Sequence, residues 1–401
     1  MLIFIGTLYF FYVVLKLYIS TAEISFVTHA RNLPPVVLSG ENYQKAADYK
    51  LANERFGIIS NLYDYALFLF WILFGLGALE SLLIKSGGVV ESTLFVLSFL
   101  AINFILALPF DLYSTFVKDK KFGFSTIDAK TYLLDTLKSI VIFILLGGAL
   151  IALISWIISV FALWWLWAFV AIFAVVLFIN MLYPTFIAPL FNKFTPLEEG
   201  ELKGNIEVLM LKSGLKSSGI FTMDASKRDN RLNAYFGGLG KSKRVVLFDT
   251  LIKKLNQNEL LAVLGHELGH FKHKDILKNI AATAMLLFVL FAIFGNLPNS
   301  VYEALNLKSG AHGVIAIFLL LSSVVGFVVM PLFGLLSRKN EYKADEYGSE
   351  CESKEALASA LIKLADENKS FPRSHPLYIA FYHTHPPLVE RLKALGVEYG
   401  K

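Results

Sequence analysis

The chain has 401 residues, 56% of them hydrophobic and 17% charged, with a mean hydropathy of +0.59. Soluble domains carry about 25% charged residues, so this composition excludes an ordinary water-soluble globule and places most of the chain in lipid. The net charge of +5 without a dense Lys/Arg cluster sets nucleic acid aside as a partner, and the single cysteine, Cys351, excludes intrachain disulfides and thiolate zinc sites.

A spanning helix needs about 20 mostly apolar residues. Seven runs qualify: 1–20, 60–84, 90–109, 139–160, 163–183, 279–297 and 313–336. The first is read as a retained span, because no basic segment precedes it and no small-residue cleavage site follows. Residues 139–183 form one apolar run long enough for two spans, and Trp164, Trp165 and Trp167 near its middle mark a tight hairpin at a membrane interface. The predicted fold class is therefore an all-α polytopic membrane protein with about seven transmembrane helices.

Two segments are water-loving, 184–278 between spans five and six and 337–401 after span seven. In the first, Gly240–Arg244 reads as a turn and Arg244–Asp249 as a short strand. Asn256–Lys274 reads as a helix capped by Asn258 or Asn256, with Glu259 in its first turn. The expected organisation is 1–183 as spans one to five with cytoplasmic loops, 184–278 and 337–401 as two parts of one aqueous domain, and 279–336 as spans six and seven. Cys351 lies in a polar stretch and is read as incidental.

Loop charge orients the chain. With seven spans, one side receives Arg31, Lys45, Lys50, Arg55, Lys118, Lys120, Lys121, Lys130 and Lys138 in its short loops, and the other only Lys85 and Lys308. The positive-inside rule puts both water-loving segments in the cytoplasm and the N-terminus outside or in a lumen.

His266 and His270 are four residues apart on the predicted helix, which stacks them on one face within reach of one ion. Glu267 can reach a water on that ion without ligating it, and zinc brings the pKa of such a water towards neutrality. This is the H-E-x-x-H pattern of zinc proteases, which chance gives in about one sequence in a hundred of this length. Gly265 and Gly269 each disfavour helix by about 1 kcal/mol relative to alanine. Their presence makes sense if another element approaches closely. A third ligand is required. His273, on the same helix, and the carboxylates Glu341 and Asp345, on one face of a helix after span seven, are the candidates that residue chemistry leaves open.

The motifs go further together. Leu264-Gly-His-Glu-Leu-Gly-His270, Asn340-Glu-Tyr-Lys-Ala-Asp345, Ser226-Lys-Arg228 with Asn233-Ala-Tyr-Phe236, Arg244-Val-Val-Leu-Phe-Asp-Thr250 and His385-Pro-Pro-Leu-Val-Glu-Arg391 resemble, in order, the type I CAAX prenyl endopeptidases, the Ste24-like family of integral-membrane zinc metalloproteases. The likeness runs from the Pro34–Tyr49 region to the C-terminal motif. It implies one Zn2+ held by His266, His270 and Glu341, Glu267 as general base, and Asp345 holding a ligating histidine. It also implies Asn233 on substrate backbone, His385 stabilising the developing oxyanion, and Arg391 pairing with a nearby carboxylate. The resemblance further implies a ring of seven helices around a water-filled chamber, capped by a mainly helical zinc domain with a short β element. Asp64, Glu80, Glu91 and Asn103 would then face the chamber or lie near helix ends.

The expected activity is zinc-dependent removal of the C-terminal tripeptide from prenylated CAAX proteins, with peptide or protein substrates and the lipid bilayer as partners. The alternatives are a general quality-control membrane protease of the HtpX type, and an inactive scaffold or transporter. The expected location is the endoplasmic reticulum membrane in a eukaryote or the inner membrane in a bacterium.

Overall fold

In a computed structural model, residues 1–215, 218–238 and 243–398 are described. The residues expected to turn at 240–242 lie outside them. Seven helices are long and apolar enough to cross a membrane. They are α1 (Leu2–Ala30), α2 (Gly40–Leu83), α3 (Val89–Lys121), α4 (Ala129–Val160), α5 (Trp164–Leu190), α9 (Asp275–Gly295) and α11 (Ala311–Cys351). The remaining helices are α6 (Glu201–Lys212), α7 (Asp249–Lys254), α8 (Gln257–Lys272), α10 (Asn299–Ala304), α12 (Lys354–Glu367), α13 (Pro376–Tyr382) and α14 (Leu388–Leu395).

Each spanning helix packs on its chain neighbour, and α11 packs back on α1, α3 and α4. The set therefore closes on itself. A shared apolar core, including Tyr9, Phe68, Trp71, Phe95 and Phe294, gathers where α1, α2, α3, α9 and α11 converge. Glu80 and Glu91 do lie at helix ends. Glu91 accepts from the backbone N–H groups of Lys85, Ser86 and Gly87 ahead of α3. Glu80 accepts from Lys308 N and His312 Nε2. Asn103 accepts from Trp71 Nε1.

One expectation needs correcting. The segments 21–59 and 110–138, expected as loops, are largely helical. α2 has 44 residues, about 66 Å at 1.5 Å per residue, against about 30 Å of hydrocarbon. Hydropathy marks only the part of a helix that meets lipid. The extensions carry polar pairs instead, such as Arg31–Asp48 and Lys50–Glu54.

The β element is also larger than the one predicted strand. Four strands, β1 (Phe194–Pro196), β2 (Ile220–Met223), β3 (Ala234–Gly237) and β4 (Arg244–Phe248), form a sheet ordered β1-β2-β4-β3. β4 runs parallel to β2 and antiparallel to β3, with Ala234 opposite Leu247. Val245 and Leu247 pack with Ile206, Leu251, Leu260 and Leu264 in one core, which Tyr347 and Ala360 complete from the C-terminal part of the chain. The two water-loving segments thus share a core although two spans separate them in sequence. Salt bridges fasten it to the membrane helices: Arg228 to Asp135 on α4, and Arg231 to Asp119 on α3.

Candidate metal centre

α8 carries the pentad, and its start is fixed locally. Asn256, not Asn258, is the cap: its side chain accepts from Glu259 N while the Glu259 carboxylate accepts from Asn256 N. Glu259 also takes hydrogen bonds from Ser359 and Lys363, which ties the helix to α12.

α8 lies against α11 almost backbone to backbone. A Cβ on Gly269 would sit 2.9 Å from Ala344 Cα, and one on Gly348 would sit 2.8 Å from His266 N. Glycine at these crossings is therefore a packing requirement. It brings Glu341, two turns before Gly348 on α11, into reach of both histidines. His266 Nε2 lies 3.5 Å and His270 Nε2 3.2 Å from the two Glu341 oxygens, and one ligand atom of each residue falls within 4.8 Å of the others.

The second ring nitrogens face carboxylates. His266 Nδ1 meets Asp345 Oδ1 at 2.8 Å, and His270 Nδ1 meets Asp275 Oδ2 at 2.9 Å. A carboxylate can only accept, so both Nδ1 atoms donate to their aspartates, which leaves the two Nε2 atoms, turned towards Glu341, as the ones that would hold an ion. Asp345 is held in turn by Arg391, whose Nε donates to Asp345 Oδ2 at 2.8 Å. Asp275 receives Lys278 Nζ at 2.7 Å. Asp275 carries no marker in the sequence as an isolated residue. It reaches His270 because Lys274 adopts a left-handed conformation, φ +57°, that reverses the chain between α8 and α9. An acid five residues beyond the second histidine is the signal the sequence offers.

His273, the alternative ligand, ends α8 and turns its ring towards Tyr347. It is not grouped with the other two histidines. His385 comes from the loop between α13 and α14, with Nε2 3.3 Å from Glu341 Oε1 and its side chain 61% exposed. Arg338 Nη1 pins that loop by donating to Ile379 O and His383 O. Asn233 lies just before β3, where Asn368 clamps Leu232 through both its N–H and its carbonyl. A cavity of 180 Å³ is lined by Asn233, His266, Glu267, His385 and Arg391.

This donor set fits a metal ion. Glu341 Oε2 is buried with no hydrogen-bond partner among the described residues, the Arg391 guanidinium standing off at 3.8 Å, a costly state for a carboxylate that a bound cation would relieve. Ligand atoms about 2 Å from one tetrahedral ion lie about 3.3 Å from one another, close to the separations here. Burial opposes charge on His270, but Glu341 and Asp275 outweigh it and push its pKa up to about 9. Burial pushes the Glu267 carboxyl up against the pull of His266 and His270, which makes it a better proton acceptor near neutral pH.

Residues 196–398 match the profile of Peptidase family M48, and residues 23–193 match that of the CAAX prenyl protease N-terminal region, described as five membrane helices. CAAX prenyl protease 1 of Saccharomyces cerevisiae is 33% identical over 399 residues, covering 90% of this chain and 88% of the yeast protein. Its Arabidopsis thaliana homolog is 34% identical, covering 90% of this chain and 89% of that protein. The crystal structure of S. mikatae Ste24p superposes with a TM-score of 0.90 at 30% identity, covering 98% of both chains. With the His-His-Glu cluster, the Glu267 carboxylate and seven spans already in place, these likenesses settle the family: the chain is a multi-pass membrane metalloendopeptidase and belongs to peptidase family M48, among the CAAX prenyl proteases of the Ste24 kind.

Proposed function

We propose that the enzyme holds one Zn2+ on His266, His270 and Glu341 and cuts prenylated CAAX substrates, releasing the C-terminal tripeptide. The observation that carries this reading is the convergence of three donors from α8 and α11 beside a cavity that also exposes Glu267, Asn233 and His385. Two imidazoles and a carboxylate, with room left for water, are the donors of a catalytic zinc site. When bound, the ion supplies Lewis acidity to the attacking water and the scissile carbonyl.

The chain's own residues do the rest. Glu267 takes the proton of the attacking water and returns it to the leaving amine. His385 is placed to donate to the oxygen that gains negative charge. Asn233 holds the substrate backbone, and β3 beside it pairs on one side only with β4, which suits an extended peptide lying along its other side. Asp345 and Asp275 hold the histidine tautomers, and Arg391 holds Asp345. The segments 184–278 and 337–401 form the two-part zinc-protease domain. It faces the cytoplasm, since the basic ends of α2, α3 and α4 lie on its side of the bundle. The name of the yeast relative supports the CAAX assignment, as does the cover of nearly its whole length.

The test pairs one peptide with and without a farnesyl group, with and without a zinc chelator. Farnesyl-dependent, chelator-sensitive cleavage is the expected result. Glu267→Gln should keep its metal and lose about 10²–10⁴-fold in kcat. Equal cleavage of the two peptides would point to a general quality-control protease, and wild-type turnover by Glu267→Gln would reject the mechanism.

A further inference from the structure

Away from the metal centre, two adjoining cavities open between α2 and α3. One, of 390 Å³, is lined by Arg31, Arg55, Lys118 and Lys121, with Asp48 as its one carboxylate. The other, of 480 Å³, is lined largely by Phe56, Ile59, Pro109, Phe110 and Tyr113. Ala52, Arg55, Tyr113 and Lys118 belong to both, so the two form one continuous hollow with a basic end and an apolar end.

The cations there are unequal. Arg31 is paired with Asp48 at 2.9 Å. Lys118 donates to Asn53 at 2.6 Å and lies 3.5 Å from Asp119. Arg55 and Lys121 have no carboxylate partner among the described residues, and both are exposed. Two unanswered positive charges therefore face a hollow whose continuation is aromatic and aliphatic. That continuation is open, with Ile59 59% and Tyr113 48% exposed.

Depth decides what fits. The apolar run of α2 begins near residue 60, so Arg55 stands about 7 Å outside the hydrocarbon at 1.5 Å per residue. Headgroups occupy about 5–8 Å on each side of the bilayer. Phe56 and Ile59 follow Arg55 towards the hydrocarbon on α2, and Lys118 and Lys121 of α3 line the same basic end of the hollow as Arg55. We propose that this hollow binds an anionic phospholipid, its phosphate on Arg55 and Lys121 and an acyl chain along Phe56, Ile59 and Phe110. The ligand is a lipid rather than a free anion because the basic end alone is open to water, while the apolar end gains only from a hydrocarbon chain.

The full chain, purified in detergent, is titrated with phosphatidylglycerol, with phosphatidylcholine of the same acyl chains, and with inorganic phosphate, and bound lipid is read by native mass spectrometry. Wild-type protein should retain phosphatidylglycerol over phosphatidylcholine, and millimolar phosphate should not displace it. Each basic residue near a headgroup is worth about fivefold, so Arg55→Gln with Lys121→Gln should lower retention roughly 25-fold. Arg55→Lys with Lys121→Arg should restore it, and Lys85→Gln with Lys308→Gln, at the far end, should leave it unchanged. Cleavage of a peptide in detergent, unchanged by the Arg55/Lys121 pair, shows that the variants fold. Equal retention of the two lipids, wild-type retention by the double glutamine variant, or displacement by phosphate would each overturn the proposal.

Discussion

Gly348→Ala tests whether the metal centre depends on backbone contact between α8 and α11. The new methyl would lie 2.8 Å from His266 N and 3.0 Å from both Ala262 O and His266 Cα. All three are backbone atoms, so no side chain can swing aside. Relief to ordinary contact at 3.4 Å requires the helices to part by about 0.6 Å. Metal-ligand distances tolerate about 0.2 Å, and Glu341 rides on the same face of α11 two turns away. Overpacking of this kind costs about 1–3 kcal/mol, so the fold survives while the third ligand is drawn off. Zinc affinity, read by competition with a chromophoric chelator, should fall at least about tenfold, with cleavage falling in parallel. Helix content should remain at the wild-type level. A variant with wild-type zinc affinity and turnover would refute the claim that this crossing sets the ligand geometry.

Other outcomes follow from the same contacts. Asp275→Asn should lower zinc affinity about 10–100-fold by freeing the His270 ring; unchanged affinity in the chelator competition would remove Asp275 from the site. His385→Phe should keep its metal and lose about 10²–10³-fold in kcat, because the lost donor acts on charge that develops during reaction; metal content by elemental analysis separates this from a ligand role. His270, with its pKa pushed up to about 9 in the metal-free protein, is protonated at neutral pH. Binding of the ion must expel that proton, so apparent affinity should rise about tenfold per pH unit up to about pH 9 and then level off. A flat affinity between pH 7 and 8 would count against the paired carboxylates as the cause.

Much of this was legible in the residues. The seven apolar runs located the spans because lipid leaves a compositional mark, and the spacing of His266 and His270 marked two members of the His-His-Glu cluster. Gly265 and Gly269 announced a close neighbour before the neighbour was known. Other features left no such mark. α1 to α4 outrun their apolar stretches, because a helix leaving the bilayer trades apolar residues for paired charges. β1, β2 and β3 have three or four residues each, too few for an alternating pattern to register. The choice of Glu341 over His273 was open on residue chemistry alone, since helical spacing constrains neighbours on one helix and says little about which second helix lies opposite.

That second helix is the important feature of the architecture. α11 runs without interruption for 41 residues, about 60 Å, from the far side of the bundle to the metal centre. Its first half packs on α1, α3 and α4, and its last third carries Glu341, Asp345 and Gly348. Asp275, which orients His270, is the first residue of spanning helix α9. One donor and both orienting carboxylates therefore hang from membrane helices, and only the two histidines and Glu267 belong to the aqueous helix α8. The positions of α9 and α11 in the bundle therefore fix where Asp275, Glu341 and Asp345 stand relative to the two histidines. The His-His-Glu cluster is in this sense assembled partly by membrane helices, around which the two water-loving segments that flank the last two spans meet in one core.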